Sequence, residues 1–486
     1  MNQSSELTDL TAIQLAVLMR ERHVSPSEVV EAHLRRAEQL NPHLNAVVTF
    51  APDVLERARD REQEIMRGTQ MGCLHGVPLT IKDTIETFGL RTTSGSRLRS
   101  SFIPQQDAPA VALLRRAGAI ILGKTNASEM AIPYECDNPV FGRTNNPYNL
   151  ARTSGGSSGG CAAAVAARLV PAGIGSDLSG SIRVPAHFCG IAGFKPASGI
   201  VPSAGHLPPT TGAFARGASL GPLARSVEDL ALLFAALSDS GNARTKTETR
   251  AWQTWQETGE IDLRGCRFSL WRADERVAPV TEETEQALER AAQILCEAGL
   301  VMTDEPPPGV ARAITLWFDL FAGHAGRFVR EMYAGREIEA GAAVHSALGA
   351  ENLPDNHEGA RRECDALREV LIKWMTRTPL IIAPTGSAPA FAHSARHLRV
   401  KGAQTSVFRA FGYARAFNAL DFPVITIPIA CSNEHLPIGV QLVARPGDEA
   451  RLFAAAHLLE TAIGSWPPPL LPLSPLSSAP VSSQKS

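Results

Sequence analysis

Short apolar runs alternate with stretches of helical spacing through the first third of the chain. Ser25-Pro26-Ser27-Glu28 is a capping box with proline at the first helical position, and it predicts a helix to about Leu40. Val47 to Phe50 reads as a strand, Asp53 to Met66 as a charged helix, and Val77 to Asp83 as a short apolar strand carrying a lysine near its end. Ala108 to Ala117 is helical in pattern and Ala119 to Leu122 is strand-like, so the order is β then α. The pattern changes between Thr153 and Pro196. Gly155-Gly156-Ser157-Ser158-Gly159-Gly160 is a glycine-dense loop, Cys161 to Leu169 an alanine-rich helix, and Gly173 to Ser181 a second loop of small residues. Such loops have too few side chains to form core. They can present backbone N–H groups and hydroxyls to something small and oxygen-rich, as an oxyanion hole does.

After Ser226 a helix to about Leu237 is followed by a polar connection, Ser238 to Gly259. A further βαβ unit is predicted over Arg267–Trp271, Thr281–Ala298 and Leu300–Thr303. Helices follow at Ile314–Tyr333, rich in aromatics, and at His357–Met375. Strands return at Leu380–Ala383, Val424–Ile429 and Gly439–Val443, with helices at Ser406–Leu420 and Glu449–Ile463. No internal repeat is visible. The expectation is an α/β protein with one catalytic domain over residues 1–465 and a loose Pro/Ser-rich tail over 466–486. Residues 240–400 carry the weakest pattern, and substrate-specific elements are expected there.

Composition narrows the class. The 486 residues are 44% hydrophobic and 20% charged, with a net charge of −2, an ordinary globular balance with no electrostatic case for nucleic acid or an anionic membrane. No apolar run approaches the roughly 20 residues of a membrane span. The polar N-terminus, MNQSSELTDL, does not read as a secretory signal, and the eight scattered cysteines form no C-x-x-C pair. A soluble cytoplasmic protein with reduced thiols is expected.

Several motifs compete for the chemistry. Gly118 to Thr125 fits the G-x-x-x-x-G-K-[ST] phosphate-loop expression, but its intervening Ala-Ile-Ile-Leu reads as a buried strand, so the match is false. Gly155 to Gly159 fits the nucleophile elbow G-x-S-x-G, which would make Ser157 the nucleophile of a Ser-His-Asp hydrolase. That reading needs a strand ending at about Arg152, whereas Asn145 to Leu150 reads as turn. None of the thirteen histidines sits in a glycine-rich or otherwise marked loop, and His187 reads as structural. No His/Cys/Asp/Glu spacing suggests a metal, and no cofactor is expected. Lys82 is the remaining oddity. A free lysine titrates near about 10.4, and burial lowers that by up to about 3–5 units, enough to make the amine a base for serines that lack a histidine.

The serine-glycine loop, the segment Gly175-Ser176-Asp177 through Arg183 and Pro185, the closing Gly190 to Pro196, and the upstream Gly76-Val77-Pro78 through Lys82-Asp83 together resemble the amidase signature family. The likeness continues to Pro437–Leu442 and is loose over 240–400. It implies a single large α/β/α domain around a mixed, mostly parallel sheet. It also implies a Ser-Ser-Lys triad, with Ser181 as nucleophile, Ser157 as bridging serine after a cis peptide bond, and Lys82 as base. The oxyanion hole would be the backbone N–H groups of Leu178, Ser179, Gly180 and Ser181, with Asp177, Arg183 and Ser158 supporting the loop. One departure stands out: many members have Gly-Gly-Ser where this chain has Ser179-Gly180-Ser181. Trp317, Phe318 and Phe321 are candidates for an acyl pocket.

The implied activity is hydrolysis of a small-molecule carboxylic amide through an acyl-enzyme at Ser181. The alternative within the family is the glutamine-hydrolysing component of a glutamyl- or aspartyl-tRNA amidotransferase. That component has an acidic residue shortly before the asparagine matching Asn418, whereas Phe411 to Phe417 here holds none. A stand-alone enzyme is therefore expected, and the resemblance leans towards a homodimer.

Overall fold

The computed structural model describes residues 7–471, apart from 70, 133, 239–260, 275 and 349–356. In chain order the strands are β1 (Val47–Phe50), β2 (Pro78–Lys82), β3 (Ile120–Thr125), β4 (Asn145–Asn146), β5 (Asn149–Thr153), β6 (Ala172–Asp177), β7 (Ala192–Lys195) and β8 (Ser219–Ala224). They continue with β9 (Arg267–Leu270), β10 (Val301–Thr303), β11 (Leu380–Pro384), β12 (His397–Val400), β13 (Ala403–Ser406), β14 (Val424–Cys431) and β15 (Pro437–Val443). Eleven of them form one sheet in the order β1-β3-β2-β6-β8-β7-β14-β15-β11-β9-β10. The pairs β4·β5 and β12·β13 stand apart.

The sheet is mixed, and the expectation that it is mostly parallel is corrected. Only β2·β3, β2·β6, β9·β11 and β9·β10 run parallel. The six other pairings are antiparallel. The β-then-α alternation holds near the start and again at β9 and β10, but the centre is built by antiparallel neighbours such as β14 and β15. The weakly patterned middle of the chain supplies β9, β10 and β11 to the same sheet.

Alternation along β11 separates two cores. Leu380 and Ile382 face a core shared with the helices Glu282–Glu297 and Glu449–Ile463. Ile381 and Ala383 face a second core with Val310–Tyr333, His357–Trp374 and Gly412–Ala419. Helices thus cover both faces, which gives the α/β/α layering. Sequence signals locate most helices closely: the Ser25 box does cap Pro26–Leu44, with Ser25 Oγ accepting from the Glu28 N–H at 3.2 Å. The helix expected over Ser406–Leu420 is broken at Phe411 into Val407–Ala410 and Gly412–Ala419.

The tail is not loose from its start. The Tyr148 hydroxyl donates to the Pro467 carbonyl at 2.7 Å, and Leu471 packs against the core around the Gly159–Ala166 helix. Residues 472–486, like most of the Ser238–Gly259 connection, lie outside the described residues. Among the described residues no helix is long and apolar enough to cross a membrane.

Candidate active site

Lys82 ends β2, a strand whose five residues are all buried. In the parallel register Ile81 stands beside Ile174 of β6, so Lys82 is set near Ser176. Its Nζ lies 2.6 Å from Ser157 Oγ and 2.9 Å from Ser176 Oγ. Burial disfavours the ammonium and brings this amine down from 10.5 to about 7. About half of such lysines are neutral near physiological pH.

Ser157 reaches this position through the glycine loop. The Gly156–Ser157 peptide is cis, and Gly155 has φ of +81°. A Cβ on Gly155 would fall 2.9 Å from the Pro185 backbone, so the loop sits directly on the following turn. Ser158 Oγ is 3.3 Å from both the N–H and the carbonyl of Ser176, tying the two serine loops together.

Beyond β6 the chain wraps around Asp177. Its Oδ1 accepts from the Gly180 N–H (2.8 Å), Asn418 Nδ2 (3.0 Å) and Arg183 Nη2 (3.0 Å). Its Oδ2 accepts from the Ile182 N–H (3.1 Å) and Arg183 Nε (3.0 Å). Burial alone would raise this carboxyl, but the Arg183 charge and these donors hold it well below the usual carboxylate range. The Gly180 N–H is therefore already donated to Asp177, which corrects the expected set of four free donors. Leu178, Ser179 and Ser181 remain.

Two side chains from distant segments hold the same loop. Trp317 Nε1 donates to the Leu178 carbonyl at 2.8 Å, and the Tyr134 hydroxyl donates to the Ser179 carbonyl at 2.7 Å. Each fixes a peptide plane, and the Leu178 anchor sets where the Ser179 N–H points. Ser179 itself keeps a negative φ while Gly180 takes +107°, so the serine that replaces the usual glycine is not strained.

Ser157, Ser176, Leu178, Ser179 and Ser181 line one cavity of about 950 Å³. Trp317 and Phe318 line it too, with Phe328, Val329 and Phe408. Phe321 does not. It is buried in the second core against Phe214, away from the cavity wall.

The rival motifs resolve on geometry. The phosphate-loop look-alike is β3, a buried strand. Lys124 bonds the Ile85 carbonyl, Thr87 Oγ1 (2.9 Å) and Thr92 Oγ1 (3.1 Å) instead of facing a loop. A strand, β5, does precede the serine loop, contrary to the turn expected at Asn145 to Leu150. It pairs only with β4, outside the main sheet, and Ser157 is met by Lys82. His187 accepts from the Gly439 N–H (2.6 Å) and contacts the Ala388 carbonyl (3.0 Å), both structural. Among the described residues no group of three or more His, Cys, Asp or Glu is placed to hold a metal.

His206 is a functional residue that sequence reasoning misses. It follows Gly205 and precedes Pro208 and Pro209, so a marked loop does carry a histidine. Its Nε2 is 2.8 Å from Ser176 Oγ and its Nδ1 2.6 Å from the Pro208 carbonyl. Tyr134 has no local signal, since its partner lies 45 residues away.

The Amidase family model matches residues 28–453. One curated relative is the glutamine-dependent enzyme component named glutamyl-tRNA(Gln) amidotransferase, "A" chain type, of Thermus thermophilus, 33% identical over 467 residues, covering 90% of this chain and 94% of that one. Another is human fatty-acid amide hydrolase 2, 30% identical over 491 residues, covering 94% and 90%. A crystal structure of an amidase superposes with a TM-score of 0.83 at 26% identity, covering 94% of this chain and 100% of that one. Matched over most of its length by the family and end to end by these relatives, the chain belongs to the amidase family.

Proposed function

We propose that this amidase-family hydrolase cleaves a carboxylic amide with a bulky apolar acyl group, through an acyl-enzyme at Ser181. The observation that carries the reading is the 2.6 Å contact between a lysine brought to about 7 and Ser157, on the cavity that Ser181 also lines. Neutral Lys82 takes the Ser157 proton as Ser157 takes the Ser181 proton, and Ser181 Oγ bonds to the amide carbon. The oxyanion is met by the N–H groups of Leu178, Ser179 and Ser181. The C–N bond then breaks, the leaving amine takes a proton back through Ser157 from Lys82, and water releases the acid from Ser181. The aromatic wall of Trp317, Phe318, Phe328 and Phe408 favours an apolar acyl part.

A second reading, a glutamine-hydrolysing component of an amidotransferase, is favoured by the likeness to the Thermus thermophilus protein. Against it stand the size and apolar wall of the cavity and the absence of an acid between Phe411 and Phe417. The test is to label the purified protein with a fluorophosphonate and map the modified peptide, then assay ammonia from glutamine beside amine from long-chain and aryl amides. Modification at Ser181 with turnover of the apolar amides is expected. Modification at Ser157 overturns the assignment of roles, and turnover of glutamine alone moves the second reading ahead.

A further inference from the structure

We propose that His206 is a positioning residue for Lys82, acting through Ser176 to keep the lysine lone pair turned toward Ser157. The inference rests on the role of Lys82 as base proposed above. The direction of each hydrogen bond follows from what each atom can do. His206 Nδ1 is 2.6 Å from the Pro208 carbonyl, which only accepts, so Nδ1 carries the ring proton. The loss of water around the ring and the nearby Lys82 charge hold His206 near about 3, so at neutral pH the ring has one proton and Nε2 is an acceptor. Ser176 Oγ, 2.8 Å away, therefore points its hydrogen at Nε2. The oxygen of Ser176 is left to accept, and the Lys82 amine 2.9 Å away supplies an N–H.

A neutral amine has two N–H bonds and one lone pair. With one N–H engaged by Ser176, the lone pair is free for the Ser157 hydroxyl at 2.6 Å. Without an acceptor at position 206, the Ser176 hydrogen is free to turn to Lys82 and compete with Ser157 for that lone pair. The arrangement also suits the lysine after it gains a proton, because the ammonium keeps donating to Ser176 and nothing has to rotate between steps. Ser158, bonded to both backbone groups of Ser176, holds the hydroxyl's own attachment in place.

The test is the rate at which a fluorophosphonate modifies Ser181, which needs no knowledge of the natural substrate. His206→Leu is expected to slow it about tenfold, the scale of one well-placed hydrogen bond. His206→Gln offers an amide oxygen to the Ser176 hydrogen and is expected to restore most of the rate. Ser176→Ala should slow the reaction as well, and the double variant Ser176→Ala/His206→Leu should be no slower than Ser176→Ala alone, because His206 acts only through that hydroxyl. Equal slowing by Leu and Gln, or losses that add in the double variant, overturns the proposal and leaves His206 as a loop support. If His206→Leu does not fold, the Gln variant combined with Ser176→Ala decides by the same non-additivity. Failure of the unaltered protein to label at Ser181 overturns the base assignment itself and this inference with it.

Discussion

Asp177 and Arg183 face each other through two hydrogen bonds of 3.0 Å, and neither side chain reaches solvent. The remaining N–H groups of Arg183 go to the Ala414 carbonyl (2.8 Å), Gln441 Oε1 (2.9 Å) and Asn418 Oδ1 (2.5 Å). The guanidinium thus ties the loop after β6 to β15 and to the helix Gly412–Ala419. Removing it leaves a buried carboxylate without its counter-charge. Arg183→Ala is expected to cost about 3–5 kcal/mol in denaturant unfolding, and Arg183→Lys to recover little, because an ammonium cannot match the fork.

Lys82 makes both reactivity and stability depend on pH. The base works only when neutral, so the rate of Ser181 modification is expected to rise with pH through about 7. The unfolded chain keeps this proton up to the ordinary lysine value, 10.5, while the folded chain releases it near 7. Between those values the unfolded state binds more protons, so stability climbs as pH rises. Lys124, lowered to about 7, and Lys195, lowered to about 8, both by burial, add to the same slope. Lys82→Met should abolish Ser181 labelling and flatten, without erasing, the rise in urea midpoint between about pH 7 and pH 10.

Trp317 serves the loop as well as the cavity wall. Trp317→Phe keeps most of the ring and removes the donor to the Leu178 carbonyl. The expected loss is up to about tenfold in labelling rate, the scale of a neutral hydrogen bond. An unchanged rate would mean that the Leu178 peptide holds its plane without this anchor.

The neighbouring positions 179 and 180 should respond oppositely. A Cβ on Gly180 would lie 2.7 Å from the Ala414 Cβ, on a residue with φ of +107°. Gly180→Ala is expected to cost at least about 1–3 kcal/mol and to silence Ser181 labelling. Ser179→Gly leaves every backbone donor in place and should keep labelling near its original rate, as a parallel kinetic assay of the two variants will read.

The parts of the site written as contiguous motifs are legible in the sequence: Lys82 at the end of an apolar strand, Ser157 and Ser181 on glycine loops. The fold class is legible for the same reason, since capping boxes and apolar runs are local. The strand directions are not, because β6·β8 and β7·β14 pair segments far apart in the chain. Nor are the loop's anchors. Trp317 and Tyr134 act through partners 139 and 45 residues away, and a lone indole or phenol carries no mark of its partner. Phe321 shows the converse, since helical spacing puts it near Trp317 and Phe318 in sequence but turns it into the core. The helix Ala12–Arg20 is missing from the expected elements although Thr11 and Gln14 form a capping box of the kind recognised at Ser25. There the local signal is present in the residues and simply goes unread.

The two walls of the cavity have different origins. The lysine and the hydroxyls stand at the ends of β2 and β6, paired strands inside the sheet, whereas Phe318, Phe328 and Phe408 project from helices outside it. Hardware and tooling are therefore mounted separately. Randomising the aromatic positions on those helices, with the sheet untouched, should re-target the protein to new acyl groups while every variant still reacts through the same serine.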